Sequence, residues 1–154
     1  MSQNIALLGP GTMGAGLASN LLKAGFSLIV NHRTAAKAQP LISAGTRLAF
    51  SAAEAAKGAA ILVSMFADGR ASREIWAGEN GALAAVAPRA ILIEPSTVSP
   101  AWRAQFVALS AAQSVELIDA PVTGSRAPAE AGQLCFLCEW ERRGARGRNA
   151  CSRP

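Results

Sequence analysis

The stretch "IALLGPGTMGAGLASNLLKAGFSLIVNHRT", residues 5–34, decides how the rest of the chain is read. It opens on the apolar run Ile5–Leu8, passes through Gly9-Pro10-Gly11-Thr12-Met13-Gly14 and enters an Ala/Leu-rich segment of helical character. A GxGxxG pattern alone is weak, but here a strand precedes it and a helix follows, which is the context that gives it meaning. Gly9 permits a tight turn, Gly11 lets backbone approach a pyrophosphate, and Gly14 lets the helix pack closely on the strand. A diphosphate then meets the free N–H groups and the positive end of the helix dipole. The reading without function is an ordinary Gly-rich turn between a strand and a helix.

Outward from this stretch the pattern repeats. Apolar runs at Ile5–Leu8, Leu28–Val30, Leu48–Phe50, Ile61–Met65, Ile91–Ile93, Val115–Ile118 and Leu134–Leu137 predict strands. Segments Thr12–Ala24, Ala35–Ala44, Ala52–Lys57, Arg70–Trp76 and Pro100–Ala112 predict helices between them. Continuous apolar strands separated by helices indicate a mostly parallel sheet covered on both faces, so the fold class is α/β and doubly wound. With 154 residues there is room for one domain with its own core.

Composition excludes several classes. Half the chain is hydrophobic (51%) and 16% is charged, which rules out wholesale disorder. The longest apolar stretch, Ala15–Val30, is broken by Asn20 and Lys23, so no transmembrane helix is expected. No basic leader precedes Ile5, which points to a cytoplasmic protein without membrane partners. The net charge of +5 is unevenly placed. Residues 1–138 hold 10 Lys or Arg against 8 Asp or Glu, whereas residues 139–154 hold 5 Arg against 2 Glu. With no Tyr and 5% aromatics there is little stacking surface, and nucleic acid is not an expected partner.

The second predicted strand ends in Asn31-His32-Arg33-Thr34, without the carboxylate that usually binds the ribose hydroxyls of NAD. Arg33 suits a 2′-phosphate by charge and by its planar donor fork, and Thr34 adds a hydroxyl. The expectation is NADP(H) in preference to NAD(H). A solvated Arg beside a helix-capping Thr is the plainer alternative. His32, the single histidine, fits an adenosine contact or an inert loop position better than catalysis.

These residues resemble the β-hydroxyacid dehydrogenase family, which includes 3-hydroxyisobutyrate dehydrogenases and glyoxylate/succinic semialdehyde reductases. The glycine fingerprint, Met13, Asn20, the Lys23–Gly25 turn and the Arg33-Thr34 pair stand at the family's spacing. "VSMFADGRASREIWAGENGAL" (63–83), "IEPSTVSP" (93–100) and "DAPVTGSRAPAEAGQL" (119–134) follow in the family's order. The last is most similar to the glyoxylate/succinic semialdehyde reductase branch. The resemblance implies a Rossmann-type domain over residues 1–137 and hydride transfer between NADPH and a small aldehyde or keto acid. It implies that Met65, Phe66, Ala67 and Thr97 line the nicotinamide side, and that Thr123 and Gly124 hold the substrate carboxylate. Thr123 stands where the family usually has Ser, and Glu94-Pro95 replaces its usual Asp-x. Capping of the next helix is the competing role for Ser96 and Thr97, and Asp119 is equally well a strand-end residue.

The family's proton donor is a Lys on a long helix beyond the nucleotide-binding domain. Lys23, Lys37 and Lys57 are the lysines here, and none matches that motif, so no catalytic residue is assigned. The helical second domain, which the resemblance associates with cleft closure and homo-oligomer formation, has no counterpart. The chain is therefore expected to act as a cofactor-binding half without turnover. From Cys138 the resemblance stops, and residues 138–154 are expected to form a disordered basic tail, the product of a frameshift or truncation. Cys135, Cys138 and Cys151 lack the fourth ligand of a closed zinc site, so no metal is expected.

Overall fold

The computed structural model describes residues 4–66, 68–142 and 145–150. Six strands form the parallel part of the sheet: β1 (Asn4–Leu8), β2 (Ser27–Asn31), β3 (Arg47–Ala49), β4 (Ile61–Ser64), β5 (Ile91–Glu94) and β6 (Glu116–Asp119). Their order across the sheet is β3-β2-β1-β4-β5-β6. Parallel neighbours must be joined by crossovers, and helices supply them. These are α1 (Thr12–Lys23), α2 (Ala35–Ser43), α3 (Ala52–Ala56), α4 (Gly69–Ala77) and α5 (Pro100–Ala112). The chain thus runs outward from β1 to β3, returns to β4 beside β1, and runs outward again. This is the doubly wound, Rossmann-type order, with its switch point between β1 and β4.

Strand side chains alternate between the faces, and both faces are buried. Ile5 and Leu7 join Leu28, Val30 and Val63 in one core, under Ala18 of α1 and Leu41 of α2. Ala6 and Leu8 join Leu62 and Leu92 in the other, under α3, Trp76 of α4, and Trp102 and Phe106 of α5. Trp102 and Phe106 stack with ring centroids 5.3 Å apart, and Trp76 tilts onto Phe106 at 5.1 Å. The second face is therefore an aromatic layer, while Ala52, Ala55 and Ala56 let α3 lie close to the strands.

Beyond β6 come β7 (Val122–Thr123), α6 (Arg126–Glu130), β8 (Cys135–Arg142) and β9 (Ala145–Ala150). Strand β8 runs antiparallel to β6 and β7 on one edge and to β9 on the other. The tail expected to be disordered from Cys138 thus differs at residues 138–142 and 145–150, which continue β8 and form β9. The physical reason is the open edge of β6, whose unpaired backbone groups offer a template to any extended neighbour. Residues 143, 144 and 151–154 of that tail, including Cys151, lie outside the described residues.

Neither β7 nor α6 was foreseen, since two and five residues are too short to show a period. Yet α6 packs directly on α1. A Cβ at Gly16 would lie 2.7 Å from the Ala129 carbonyl carbon and 2.8 Å from the Glu130 nitrogen. Asn20 Nδ2 donates to the Ala129 carbonyl at 2.8 Å. Gly16→Val should therefore force the two backbones apart and cost about 1–3 kcal/mol, more than the modest gain in helix propensity returns. Thermal or urea unfolding of the variant measures this, and an unchanged midpoint would contradict the α1–α6 contact.

Candidate cofactor site

The carboxyl ends of β1, β2, β4 and β5 lie along one edge of the sheet, and the residues singled out from the sequence occupy the loops there. Gly9 follows β1 with φ +64°, a backbone conformation that favours glycine. A Cβ there would lie 2.0 Å from Phe66 Cε1, and its N–H donates to the Asn31 carbonyl at 2.8 Å. The turn is thus gripped from β2 on one side and from the loop after β4 on the other. Pro10 is buried, and a Cβ at Gly14 would lie 3.1 Å from Pro10 Cβ and 3.4 Å from Met65 Cβ.

Gly11 is different. It is exposed, its φ of −71° is open to any residue, and nothing lies within 4 Å of where its Cβ would be. It occupies the N-cap of α1, which has no side-chain cap and no acidic residue in its first turn. The N-cap of α2, Thr34, likewise makes no side-chain cap bond, and that first turn is also free of acids. By contrast, Asp68 caps α4 by accepting from the Ala71 N–H at 2.8 Å, and Ser99 caps α5 by accepting from the Trp102 N–H at 3.3 Å. The two long helices left without a side-chain cap are those whose first turns face the candidate site. An open glycine cradle at an uncapped helix start fits a bound pyrophosphate, which would complete the first-turn donors.

At the tip of β2, Asn31 is buried and its Nδ2 donates to the Ala49 carbonyl at 3.1 Å, tying β2 to β3. His32 Nδ1 accepts from the Thr34 N–H at 2.9 Å, which shapes the turn. Arg33 and Thr34 are exposed, and the Thr34 hydroxyl is not used as a cap.

After β4, Met65 is buried against Gly14, whereas Phe66 is half-buried over Gly9. Ala67 lies outside the described residues. Thr97 is exposed in the loop after β5. Ser96 and Thr97 do not cap α5, since Ser99 does; instead Ser96 Oγ accepts from the Phe66 N–H at 3.3 Å. Thr123 is exposed in β7, and Gly124 has φ +143° with Leu134 Cδ2 2.7 Å from its Cβ position. Asp119 is more than a strand end, because it pairs with Arg103 of α5.

The residue whose importance the sequence reading missed is Glu94. It is 2% exposed at the end of β5 and accepts from Ser72 Oγ at 2.5 Å, Trp76 Nε1 at 2.8 Å and the Ser96 N–H at 2.9 Å. A buried carboxylate is costly unless hydrogen-bonded, and here three donors meet it. The only signal in the sequence was its departure from the family's usual Asp.

The family model described as "NAD binding domain of 6-phosphogluconate dehydrogenase" matches residues 4–142. The chain is 36% identical over 135 residues to the "NAD-dependent L-serine dehydrogenase" of Pseudomonas aeruginosa. It is 37% identical over 134 residues to the 3-hydroxyisobutyrate dehydrogenase of the same organism. Against the "Glyoxylate/succinic semialdehyde reductase 2, chloroplastic" of Arabidopsis thaliana it is 34% identical over 134 residues. These matches take in 88%, 87% and 87% of this chain but 45%, 45% and 37% of the relatives, so the chain spans less than half their length. Among solved structures, that of "Mycobacterium tuberculosis 3-Hydroxyisobutyrate dehydrogenase (MtHIBADH) + L-serine" superposes with a TM-score of 0.82 at 30% identity. The match covers 90% of this chain and 46% of that one.

Two glycines two residues apart should respond unequally to the same change. Gly9→Ala should destabilise the fold by about 1–3 kcal/mol, through the positive φ and the displaced Phe66 ring. Gly11→Ala should cost less than about 1 kcal/mol, because its conformation and surroundings admit a methyl group. Paired denaturant titrations measure the difference, and equal losses would contradict the geometry of the turn.

Proposed function

The chain belongs to the family of NAD-binding domains represented by that of 6-phosphogluconate dehydrogenase, and from that premise we propose that it is the nucleotide-binding domain of an NADP(H)-dependent β-hydroxyacid dehydrogenase. The carrying observation is the open cradle at Gly11, set on the uncapped start of α1 at the switch point of the sheet. Backbone N–H groups of Thr12 and Met13 would hold the pyrophosphate there, and Gly14 would keep the helix close to the strand that aims it.

Arg33 carries the choice of cofactor. It is exposed beyond β2, no Asp or Glu occurs among residues 31–34, and the neighbouring Thr34 hydroxyl is left available as a donor. A guanidinium and a hydroxyl suit a 2′-phosphate, whereas a ribose 2′-hydroxyl is better served by a carboxylate. One relative is named as NAD-dependent, so the reading rests on these side chains and not on kinship.

Bound NADP(H) supplies the hydride. On the protein side, Met65, Phe66, Ala67 and Thr97 would bound the nicotinamide, while Thr123 and Gly124 would orient a carboxylate of a small aldehyde or keto acid, such as glyoxylate or succinic semialdehyde. Reduction also needs a proton donor at the developing alkoxide. None is assigned among these 154 residues, so the chain alone binds cofactor without turnover. A non-catalytic nucleotide-binding module is the second reading, since the open cradle at Gly11 would hold a pyrophosphate whether or not chemistry follows.

Titration of the purified chain with NADPH and NADH tests the cofactor, with tighter binding of NADPH expected. Arg33→Glu should weaken NADPH by about ten- to a hundredfold, the worth of a hydrogen bond to a charged group, and leave NADH unchanged or bound more tightly. Equal loss for both cofactors would overturn the 2′-phosphate role. Assays with glyoxylate, succinic semialdehyde, 3-hydroxyisobutyrate and L-serine should show no turnover, and turnover with any of them would show that these residues include a proton donor.

A further inference from the structure

Glu94 does more than fill a polar gap in the aromatic layer. Its Oε2 is held from α4 by the Ser72 hydroxyl and the Trp76 indole N–H, and Ser72 Oγ in turn accepts from Trp102 Nε1 of α5 at 3.0 Å. Its Oε1 accepts the N–H of Ser96. Ser96 Oγ then accepts the N–H of Phe66, whose ring lies over Gly9. A chain of bonds therefore runs from two helices of the core, through one buried carboxylate, to the aromatic ring on the glycine turn. Each oxygen of Glu94 serves a different part of the fold: Oε2 is fixed by the helices, and Oε1 transmits that position to the loop after β5.

We propose that Glu94 is a positioning residue. Acting through Ser96, it holds Phe66 against the glycine turn and so shapes the nicotinamide end of the cofactor site. This rests on the reading above that the site takes NADP(H). The chemistry requires a carboxylate and not an amide. Glutamine offers one acceptor oxygen and one NH2 group that only donates, while Ser96 N–H and Trp76 Nε1–H are both obligate donors on different oxygens. Either orientation of the amide leaves one of them facing an N–H group.

The test uses the full chain with Glu94→Gln and, independently, Ser96→Ala, which removes the acceptor for Phe66 without touching the carboxylate. Two ligands separate the ends of the site: NADPH, which spans it, and 2′,5′-ADP, which has no nicotinamide. Each variant should weaken NADPH by about tenfold, or about 1.4 kcal/mol, and leave 2′,5′-ADP unchanged. The double variant should lose no more than the worse single one, because both break the same chain of bonds. Without any ligand, amide hydrogen exchange at Phe66 should accelerate in both variants, while Leu7 and Val30 in the central strands keep their protection. Equal weakening of both ligands, additive losses, or unchanged exchange at Phe66 would overturn the positioning role. Should Glu94→Gln fail to fold, Ser96→Ala decides by the same readouts. If the unaltered chain binds neither ligand, the cofactor reading fails by itself, and exchange at Phe66 still decides whether this chain of bonds holds the loop.

Discussion

Strands β1 to β6 all run in the same direction, and most of the architecture is a consequence of that constraint. A parallel pair cannot be closed by a tight turn, so each of β1 to β5 is followed by a crossover that returns the chain to the opposite end of the sheet. Crossovers on both sides bury both faces, which is why Ile5 and Leu7 serve one core while Ala6 and Leu8 serve the other. The same constraint brings every strand's carboxyl end to one edge. Gly9, Asn31, Met65 and Glu94 all follow or end strands there, although they are far apart in the chain. The winding reverses between β1 and β4, the place at that edge where doubly wound sheets take their ligands.

At this switch point, rigidity and openness are divided between neighbouring residues. Gly9 is clasped between the Asn31 carbonyl and the Phe66 ring, and Gly14 between Pro10 and Met65. Gly11, between them, has open space in front of it. A site for an anion needs this combination: a backbone held firmly enough to point its N–H groups, and a gap that leaves room for the ligand. The loops behind the turn are fixed by hydrogen bonds that converge on Glu94, so polar groups of the core determine where a surface loop can stand.

Much of this was legible in residues 5–34, because the glycine spacing and the strand-to-helix change are contiguous along the chain. All six parallel strands and the five crossover helices lie where the apolar runs and Ala-rich segments predicted them, with no end moved by more than one residue. What the patterns did not carry was short or distant. Five residues of α6 show no period, yet they dock on Gly16 and Asn20 of α1 across 109 positions of sequence. The edge of β6 offered pairing to residues that, read alone, were a basic string without periodicity, and β8 and β9 resulted.

The sequence by itself determined the class of fold and the place of the glycine turn, since alternation of apolar runs and spacing of glycines are local properties that survive without a partner. Only the tertiary structure decided what individual side chains do. Glu94 became a hub because folding brought Ser72 and Trp76, 22 and 18 positions away, onto its carboxylate. Ser96 became a support for Phe66, 30 positions away, instead of a helix cap. Asn31, at a tip where a cofactor contact was expected, turned its amide inward to the Ala49 carbonyl. A polar side chain is assigned its role by whichever donor or acceptor shares its buried space, and that neighbour is chosen by topology.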